Sequence, residues 1–230
     1  VGTDRDVFAQ HITATGSESW GVAGLGVPVV IADTTQENAH IEPDGAGGAF
    51  VIWEDDRGGP RDVYAQHLNA TGDTAWTALP LSGVPAERLG LGLARDGAGG
   101  FMAVWLDGAS SSEAIFGQRV NGAGARQWGT GGIALAPTSA AWPTGVWAGG
   151  AAGMMLTWVD VRDANWDLYA QKVSTAGALA WGFNGTAVCT APGRQGLAPI
   201  IDDGAGGAIV VWQDLRTLPS DVLYKQRLGS

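Results

Sequence analysis

The sequence predicts an all-β fold that is built from tandem repeats of about 53 residues each. Three glycine-rich stretches of identical sequence, Asp-Gly-Ala-Gly-Gly, begin at Asp44, Asp96 and Asp203. Each continues into a short apolar segment that ends in tryptophan, and a fourth such segment follows a degenerate glycine run. The tryptophans are 52, 53 and 54 residues apart, at Trp53, Trp105, Trp158 and Trp212. No helix-period segment of useful length interrupts the pattern, which indicates repeated sheets.

Two further landmarks recur in the same register. An aromatic residue lies two positions before Gln in five places, at Phe8, Tyr64, Phe116, Tyr169 and Tyr224. A glycine lies four residues before tryptophan in four places, at Trp20, Trp76, Trp128 and Trp181. Eight of the eleven tryptophans therefore occupy repeat-equivalent positions. This regularity favours packing within hairpins and between repeats over ligand binding.

The chemistry of each repeat predicts four antiparallel strands, A to D. Strand A is a short segment such as 39–42, and the Asp-Gly-Ala-Gly-Gly turn leads into strand B, an apolar run such as 49–53. Strand C carries the aromatic residue and Gln, and a second glycine turn leads to strand D at the second tryptophan. A repeat of this size cannot close its own core and must stack on its neighbours, which is typical of β-propeller blades.

We expect a single β-propeller domain over residues 1–230, with about four blades of four strands. The repeats fall at about 36–82, 90–134, 143–186 and 196–230, and N-terminal strands within 5–32 belong to a partial blade. One of the two end C strands is surplus to a simple four-blade ring. The surplus strand is explained by a fifth outer strand, by a longer array, or by self-association through unpaired edge strands.

Composition and charge limit the classes of partner. The formal net charge is −10, and the only lysines are Lys172 and Lys225, so a nucleic-acid partner is not expected. Cys189 is the only cysteine, which leaves no intrachain disulfide or cysteine-rich zinc site. No apolar run is long enough to span a bilayer, so we expect no membrane insertion. The N-terminus lacks a signal-peptide pattern, so we expect any export signal to lie outside this chain.

The turns between strands C and D carry a resemblance to a known family. Residues 13–20 and 69–76 resemble the Asp-box hairpin of bacterial-neuraminidase-type repeats, in which a tryptophan packs back on the turn, although the characteristic Asp is missing. The whole chain also resembles the Asp-Gly-Ala-Gly-Gly…Trp…Asp-x-Arg arrays of large bacterial surface and secreted proteins. That resemblance implies an extracellular or cell-surface protein with a role in binding or display.

The loops between strands B and C supply most of the candidate binding residues. They contain three Asp/Arg pairs, Asp55 with Arg57, Asp160 with Arg162, and Asp214 with Arg216. One interpretation is an arginine triad that grips a carboxylate, as sialidases do. The other is that each Asp and Arg closes its own loop. Recurrence at equivalent positions favours the second, because a catalytic site on a propeller normally breaks the repeat.

The third repeat departs from the pattern and holds the tryptophans outside the register, Trp142, Trp147 and Trp166. Trp166 lies with Asn165 in the B–C loop, and we expect its ring to be exposed. We therefore predict Asn165 and Trp166 as binding residues for a protein or a glycan. The alternative is that Trp166 packs only on its own loop.

Neither a catalytic constellation nor a metal site stands out. A sialidase-like hydrolase requires two placed carboxylates or a tyrosine nucleophile, and Tyr64, Tyr169 and Tyr224 all occupy the same repeat position. His11 and His67 are also repeat-equivalent. We therefore predict a chain without cofactors that is not an enzyme and that serves as an extracellular binding or structural module through its B–C loop face. A self-assembling surface subunit and a sialidase-like hydrolase are the alternatives.

Overall fold

The computed structural model describes residues 4–83, 87–108, 114–137, 140–148, 153–216 and 222–229. These ranges contain strands, turns and bends, and no helix in them could cross a membrane. The expected all-β class is confirmed. The strands are β1 (Val7–Ala9), β2 (Val27–Val30), β3 (Gln36–Pro43), β4 (Ala49–Asp55), β5 (Asp62–Leu68), β6 (Leu79–Pro80), β7 (Arg88–Arg95), β8 (Phe101–Asp107), β9 (Ala114–Val120), β10 (Ile133–Ala134), β11 (Ala140–Ala148), β12 (Met154–Asp160), β13 (Asp167–Val173), β14 (Thr186–Cys189), β15 (Gln195–Gly196), β16 (Ile200–Asp202), β17 (Ala208–Asp214) and β18 (Val222–Leu228).

The strands form five antiparallel sheets, which we number along the chain. Sheet 1 contains β1 and β2, and sheets 2, 3 and 4 contain β3–β6, β7–β10 and β11–β14 in sequential order. In sheet 5, β15 and β16 both pair with β17, and β18 pairs with the other side of β17. Leu197, with φ at 44°, and Pro199, which lacks an N–H, separate β15 from β16. The predicted strands A to D are therefore neighbours in sheets 2 to 4, although strand D begins after the hairpin tryptophan, at Leu79 in sheet 2, and not at Trp76 itself.

The Asp-Gly-Ala-Gly-Gly turns are held by their own aspartate. Asp44 Oδ1 accepts hydrogen bonds from the backbone N–H groups of Ala46 and Gly48, at 2.6 and 2.9 Å. Gly47 has a φ of 95°, which only glycine adopts without strain. Asp96 and Asp203 make the same pair of bonds in sheets 3 and 5.

The tryptophans of the second hairpins join one sheet to the next at its outer edge. Trp20 Nε1 donates to the carbonyl of Ala70 in the following hairpin at 3.0 Å, and a Cβ on Gly72 would lie 2.8 Å from the Trp20 ring. Trp128 Nε1 donates in the same way to the carbonyl of Thr175 at 3.0 Å. These contacts explain why glycine and tryptophan recur together in the sequence.

Successive sheets pack face to face, and each junction holds an apolar cluster around a strand-B tryptophan. We name each junction by its two sheets: Trp53 lies at junction 1–2, Trp105 at 2–3, Trp158 at 3–4 and Trp212 at 4–5. Every residue of β4 and β12 is buried because both faces of those strands are covered. Buried and exposed residues alternate along most of β17, since only one of its faces packs on another sheet.

The two ends of the series remain open in the part of the chain that the structure describes. Sheet 1 has two strands, and the outer edge of β18 pairs with no described strand. No strand pairing joins sheet 1 to sheet 5 within the described ranges. The strands counted in the sequence are present, but they form an open series of sheets.

Candidate functional site

Each B–C loop that contains arginine is closed by a hydrogen-bonded unit. In sheet 2, Trp53 Nε1 donates to Asp55 Oδ2 at 2.7 Å, and Arg57 donates from its backbone N and its Nε to Asp55 Oδ1, each at 2.9 Å. The Arg57 guanidinium lies 4.6 Å from the centre of the Tyr64 ring, which stacks on Trp53. Because the Asp55 carboxylate is fully buried, these donors are what allow it to remain charged.

The same unit recurs in sheets 4 and 5. The equivalent residues are Trp158, Asp160, Arg162 and Tyr169 in sheet 4, and Trp212, Asp214, Arg216 and Tyr224 in sheet 5. All three predicted Asp/Arg pairs therefore form within their own loops. The geometry gives each arginine a structural partner, and a role in binding stays a prediction for these six residues.

The electrostatics of the unit stabilise the charged forms of the aspartate and the arginine. Burial raises the pKa of Asp55, but hydrogen bonds from Arg57 and Trp53 outweigh burial and place that pKa below its usual range. For Asp214 the hydrogen bond from Arg216 is the largest influence, and the carboxyl pKa lies far below its usual range. The same hydrogen bond raises the pKa of the Arg216 guanidinium.

Sheet 3 lacks the arginine and shows what the unit does. Asp107 is followed by Gly108 and Ala109, and its carboxylate lies 3.5 Å from Arg88 Nη2 on the inner strand. Trp105 Nε1 is buried there without a hydrogen-bond partner among the residues that the structure describes. The bond from tryptophan to aspartate is therefore made where the loop arginine holds the carboxylate, which supports a structural role for the arginine.

A cavity of about 150 Å³ opens beside the B–C loop of sheet 4, at junction 4–5. It is lined by Trp166, Arg194, Gln195, Gly196, Gln213 and Leu215. The Arg194 guanidinium lies 4.2 Å from the centre of the Trp166 ring. Trp166 is half-buried, in contrast to the exposed ring expected from the sequence, because Arg194 covers one face of the ring and Gln195 N donates to the Trp166 carbonyl at 3.0 Å.

The polar side chains of this cavity have few partners of their own. Among the described residues, the side chains of Arg194 and Gln213 make no hydrogen bond or ion pair. The Gln195 amide nitrogen donates to the carbonyls of Ala191 and Gly193, whereas its Oε1 is buried without a partner. Gln36 Oε1, at the equivalent position of sheet 2, is also buried without a partner, so this feature belongs to the repeat. Arg194 and Gln213 are therefore the polar side chains that are specific to this cavity.

Asn165 positions the loop that carries Trp166. Its amide nitrogen donates to Asp167 Oδ1 at 2.6 Å and to the Ala191 carbonyl at 2.9 Å. Burial raises the pKa of Asp167 even though the bond from Asn165 lowers it. Asn165 thus fixes the conformation of the loop that carries Trp166, and a role in binding stays a prediction for both residues. The sequence could have indicated Gln213, since Glu54, Leu106 and Val159 occupy its position in the other repeats.

A second cavity of about 220 Å³ lies along the inner strands of sheets 2, 3 and 4. Its lining includes His40, Gly92, Thr144 and Gly145. The sequence analysis assigned no role to His40, although His40 is the only histidine of the chain that is not at a repeat-equivalent position. His67 Nε2 instead lies 2.9 Å from Asp44 Oδ2, on the turn of its own sheet. No group of three or more metal-ligating side chains comes together in the described ranges.

These features define an all-β chain of stacked antiparallel sheets with a cavity at one sheet junction. No protein-family model matches the chain, and a search of curated proteins finds no match. Three solved structures are similar in fold. They are an endo-arabinase from Bacteroides thetaiotaomicron (11% identity, 89% of this chain and 81% of that chain, TM-score 0.47), a TolB-like protein from Agrobacterium tumefaciens (13%, 96% and 76%, 0.45) and an endo-1,4-beta-xylanase from Bacteroides thetaiotaomicron (8%, 84% and 76%, 0.39).

The fold comparison contradicts the prediction that the chain is not an enzyme. Two of the three similar structures, the endo-arabinase and the xylanase, are glycoside hydrolases, at 11% and 8% identity, and this likeness concerns the fold alone. Our expectation rested on the regularity of the repeats, which sets no residue apart. Regular sheets are a scaffold, and the residues that do chemistry on a scaffold lie in loops and cavities that can differ from one repeat to the next.

Proposed function

We propose that the sheets are blades of a β-propeller and that the chain binds an acidic saccharide in the cavity at junction 4–5. The stacked four-stranded antiparallel sheets, with the first strand of one sheet packed near the first strand of the next, support the propeller. One observation carries the binding proposal: Trp166, Arg194 and Gln213 line the same cavity.

The three side chains suit the chemistry of a sugar. An aromatic ring offers an apolar face to the C–H groups of a pyranose ring, and a primary amide both donates to and accepts from hydroxyl groups. Arg194 is exposed and has no carboxylate partner among the described residues. A guanidinium in that state pairs well with a carboxylate, so a sugar acid gains an interaction that a neutral sugar lacks.

The size of the cavity limits the ligand. Its volume of about 150 Å³ is below the range of about 300–1,000 Å³ typical of pockets for drug-sized molecules. We therefore expect one sugar residue, or the end of a chain, to occupy it. Asn165 and the Asp214–Arg216 pair hold the surrounding loops, and a site on the loop face suits the extracellular or cell-surface location that the resemblance implies.

The proposal is tested by measuring binding to glucuronic, galacturonic and N-acetylneuraminic acids and to the neutral sugars glucose and galactose. We expect binding of at least one acid and weaker binding of the neutral sugars. Trp166→Ala and Arg194→Ala should each lower the affinity about tenfold or more, equivalent to about 1.4 kcal/mol.

Arg61→Ala is the matched control, because Arg61 occupies the position of Trp166 at junction 2–3: its carbonyl accepts from Arg88 N, as the Trp166 carbonyl accepts from Gln195 N. This variant should bind like the wild type. Absence of binding to every acid, or equal losses in all three variants, would contradict the proposal. Thermal unfolding of each variant separates loss of the site from loss of the fold.

A further inference from the structure

The cavity of about 220 Å³ along the inner strands of sheets 2, 3 and 4, which we call the inner cavity, has a histidine where the neighbouring sheets have glycine. His40, Gly92 and Gly145 occupy equivalent positions, since each pairs with the residue before a strand-B tryptophan. A Cβ on Gly92 would lie 2.3 Å from Val146 Cγ2, and one on Gly145 would lie 2.5 Å from the Ala198 carbonyl oxygen. Sheets 3 and 4 thus leave no room for a side chain there, whereas sheet 2 places an imidazole in the cavity lining.

The hydroxyl of Thr144, which also lines the inner cavity, has no proton left to donate to a ligand. Thr157 Oγ1 donates to the Ala198 carbonyl at 2.5 Å and lies 3.0 Å from Thr144 Oγ1. A carbonyl only accepts hydrogen bonds, and a hydroxyl carries one proton. Thr144 is therefore the donor in its bond with Thr157, and its oxygen is available only as an acceptor.

His40 supplies a second acceptor. Its side chain makes no hydrogen bond or ion pair within the described ranges, and the residue is exposed, so a solute can reach it. Burial lowers the pKa of His40 more than the negative charge of Glu54 raises it, which keeps the imidazole neutral at neutral pH. One ring nitrogen of a neutral imidazole accepts a hydrogen bond.

The rest of the lining is apolar and limits the size of a ligand. Leu93, Pro143 and Val146 line the cavity with the two glycines, and no lysine, arginine or carboxylate side chain is part of the described lining. A volume of about 220 Å³ holds on the order of seven non-hydrogen atoms, taking the share of about 30 Å³ that a water molecule has in the liquid. The inner cavity therefore suits a donor group with a short apolar tail.

We propose that the inner cavity binds a small primary amine as its alkylammonium ion, which donates to Thr144 Oγ1 and to the His40 ring. An ammonium group has three donors, whereas an alcohol has one and a carboxylate has none. The charge of Glu54 near His40 and the net charge of −10 also favour a cation over an anion. The inner cavity shares no lining residue with the saccharide cavity, so either proposal can fail without the other.

A titration with n-butylamine hydrochloride at constant pH and ionic strength tests the proposal, with the ring C–H signals of the three histidines followed by NMR. His40→Gly identifies the His40 signals by their disappearance and introduces the residue type of Gly92. We expect a saturable shift of the His40 signals at millimolar amine, while those of His11 and His67 stay in place. Sodium butyrate and 1-butanol should each bind about fivefold more weakly or less, because they offer fewer donors.

Thr144→Val and Thr144→Ser form a matched pair of variants. The valine removes the acceptor at similar volume and should weaken amine binding about fivefold or more, whereas the serine keeps the hydroxyl and should bind like the wild type. Equal losses in the two variants would overturn the proposal. Butyrate that binds as tightly as butylamine, or His40 signals that show no saturable shift, would also overturn it, and both of these results come from the wild-type chain.

Discussion

Junctions 2–3 and 4–5 share one framework but are filled differently. Leu89 of sheet 3 is replaced in sheet 5 by Gly196, and Arg61 of sheet 2 is replaced in sheet 4 by Trp166. Arg61 pairs with Glu37 and Glu54 of its own sheet. Trp166 instead meets Arg194 of sheet 5, and the cavity lies beside them. The comparison teaches that the repeated residues build the scaffold, whereas the site arises where the filling residues change.

The largest expected effect compares two buried aspartates at equivalent positions of these junctions. Asp62 accepts hydrogen bonds from Ser82 and, at 3.2 Å, from the buried Arg88, whereas Asp167 accepts one from Asn165. Asp62→Ala removes a partner of a buried cation and should cost about 3–5 kcal/mol. Asp167→Ala should cost about 1–3 kcal/mol. Urea denaturation measures both, and equal losses would show that the junctions are not stabilised differently.

A smaller effect concerns the Asp214–Arg216 pair and its pH dependence. Arg216→Gln should cost about 1.5–3 kcal/mol at neutral pH, because it removes charged hydrogen bonds to a buried carboxylate. The folded-state pKa of Asp214 is lowered, so this stability is present above the unfolded pKa of about 3.9 and is lost as the pH falls below it. The difference in the free energy of unfolding between wild type and variant should therefore shrink as the pH falls from about 5 to about 2.

Denaturation at several pH values provides the measurement. Lys172→Gln is a control, because its amine bonds a backbone carbonyl and no carboxylate in the described structure. A difference between wild type and Arg216→Gln that stays constant down to the lowest pH would show that the pair does not set the acid sensitivity.

Much of this scaffold could be predicted from the sequence. The spacing of Trp53, Trp105, Trp158 and Trp212 indicates the sheets, since each tryptophan occupies one junction core. The turn glycines are equally informative because positive φ values demand them. The strand count also showed one C strand more than a four-blade ring needs, but it did not decide how the series ends. Such features depend on local geometry and repeat in register.

The cavity could be predicted only in part. Trp166 was recognisable because it breaks the register. Arg194 lies 28 residues further along the chain, and only the packing of sheet 5 on sheet 4 brings its guanidinium onto the indole. The half-buried state of Trp166 has the same cause. Contacts between repeats depend on which residues fill a junction, and no local pattern in the sequence records them.

The smallest expected change in stability comes from closing the cavity. Gly196→Leu restores the residue type of Leu89, and a Cβ at Gly196 has no heavy atom within 4 Å. We expect stabilisation by about 0.5–1 kcal/mol and loss of saccharide binding. The reverse change, Leu89→Gly, should destabilise the chain without creating a saccharide site, because Arg61 and Glu87 occupy the positions of Trp166 and Arg194 there. Retained binding in Gly196→Leu would place the ligand elsewhere.

The most direct test of the account follows the indole N–H signals of the eleven tryptophans by NMR during titration with a sugar acid. Trp166→Phe identifies the signal of Trp166 by its disappearance. The account predicts that this signal shifts as the cavity fills, while the signals of the buried Trp53 and Trp105 stay in place. A titration in which the Trp166 signal does not move, or moves no more than those of Trp53 and Trp105, would contradict the claim that junction 4–5 is a binding site.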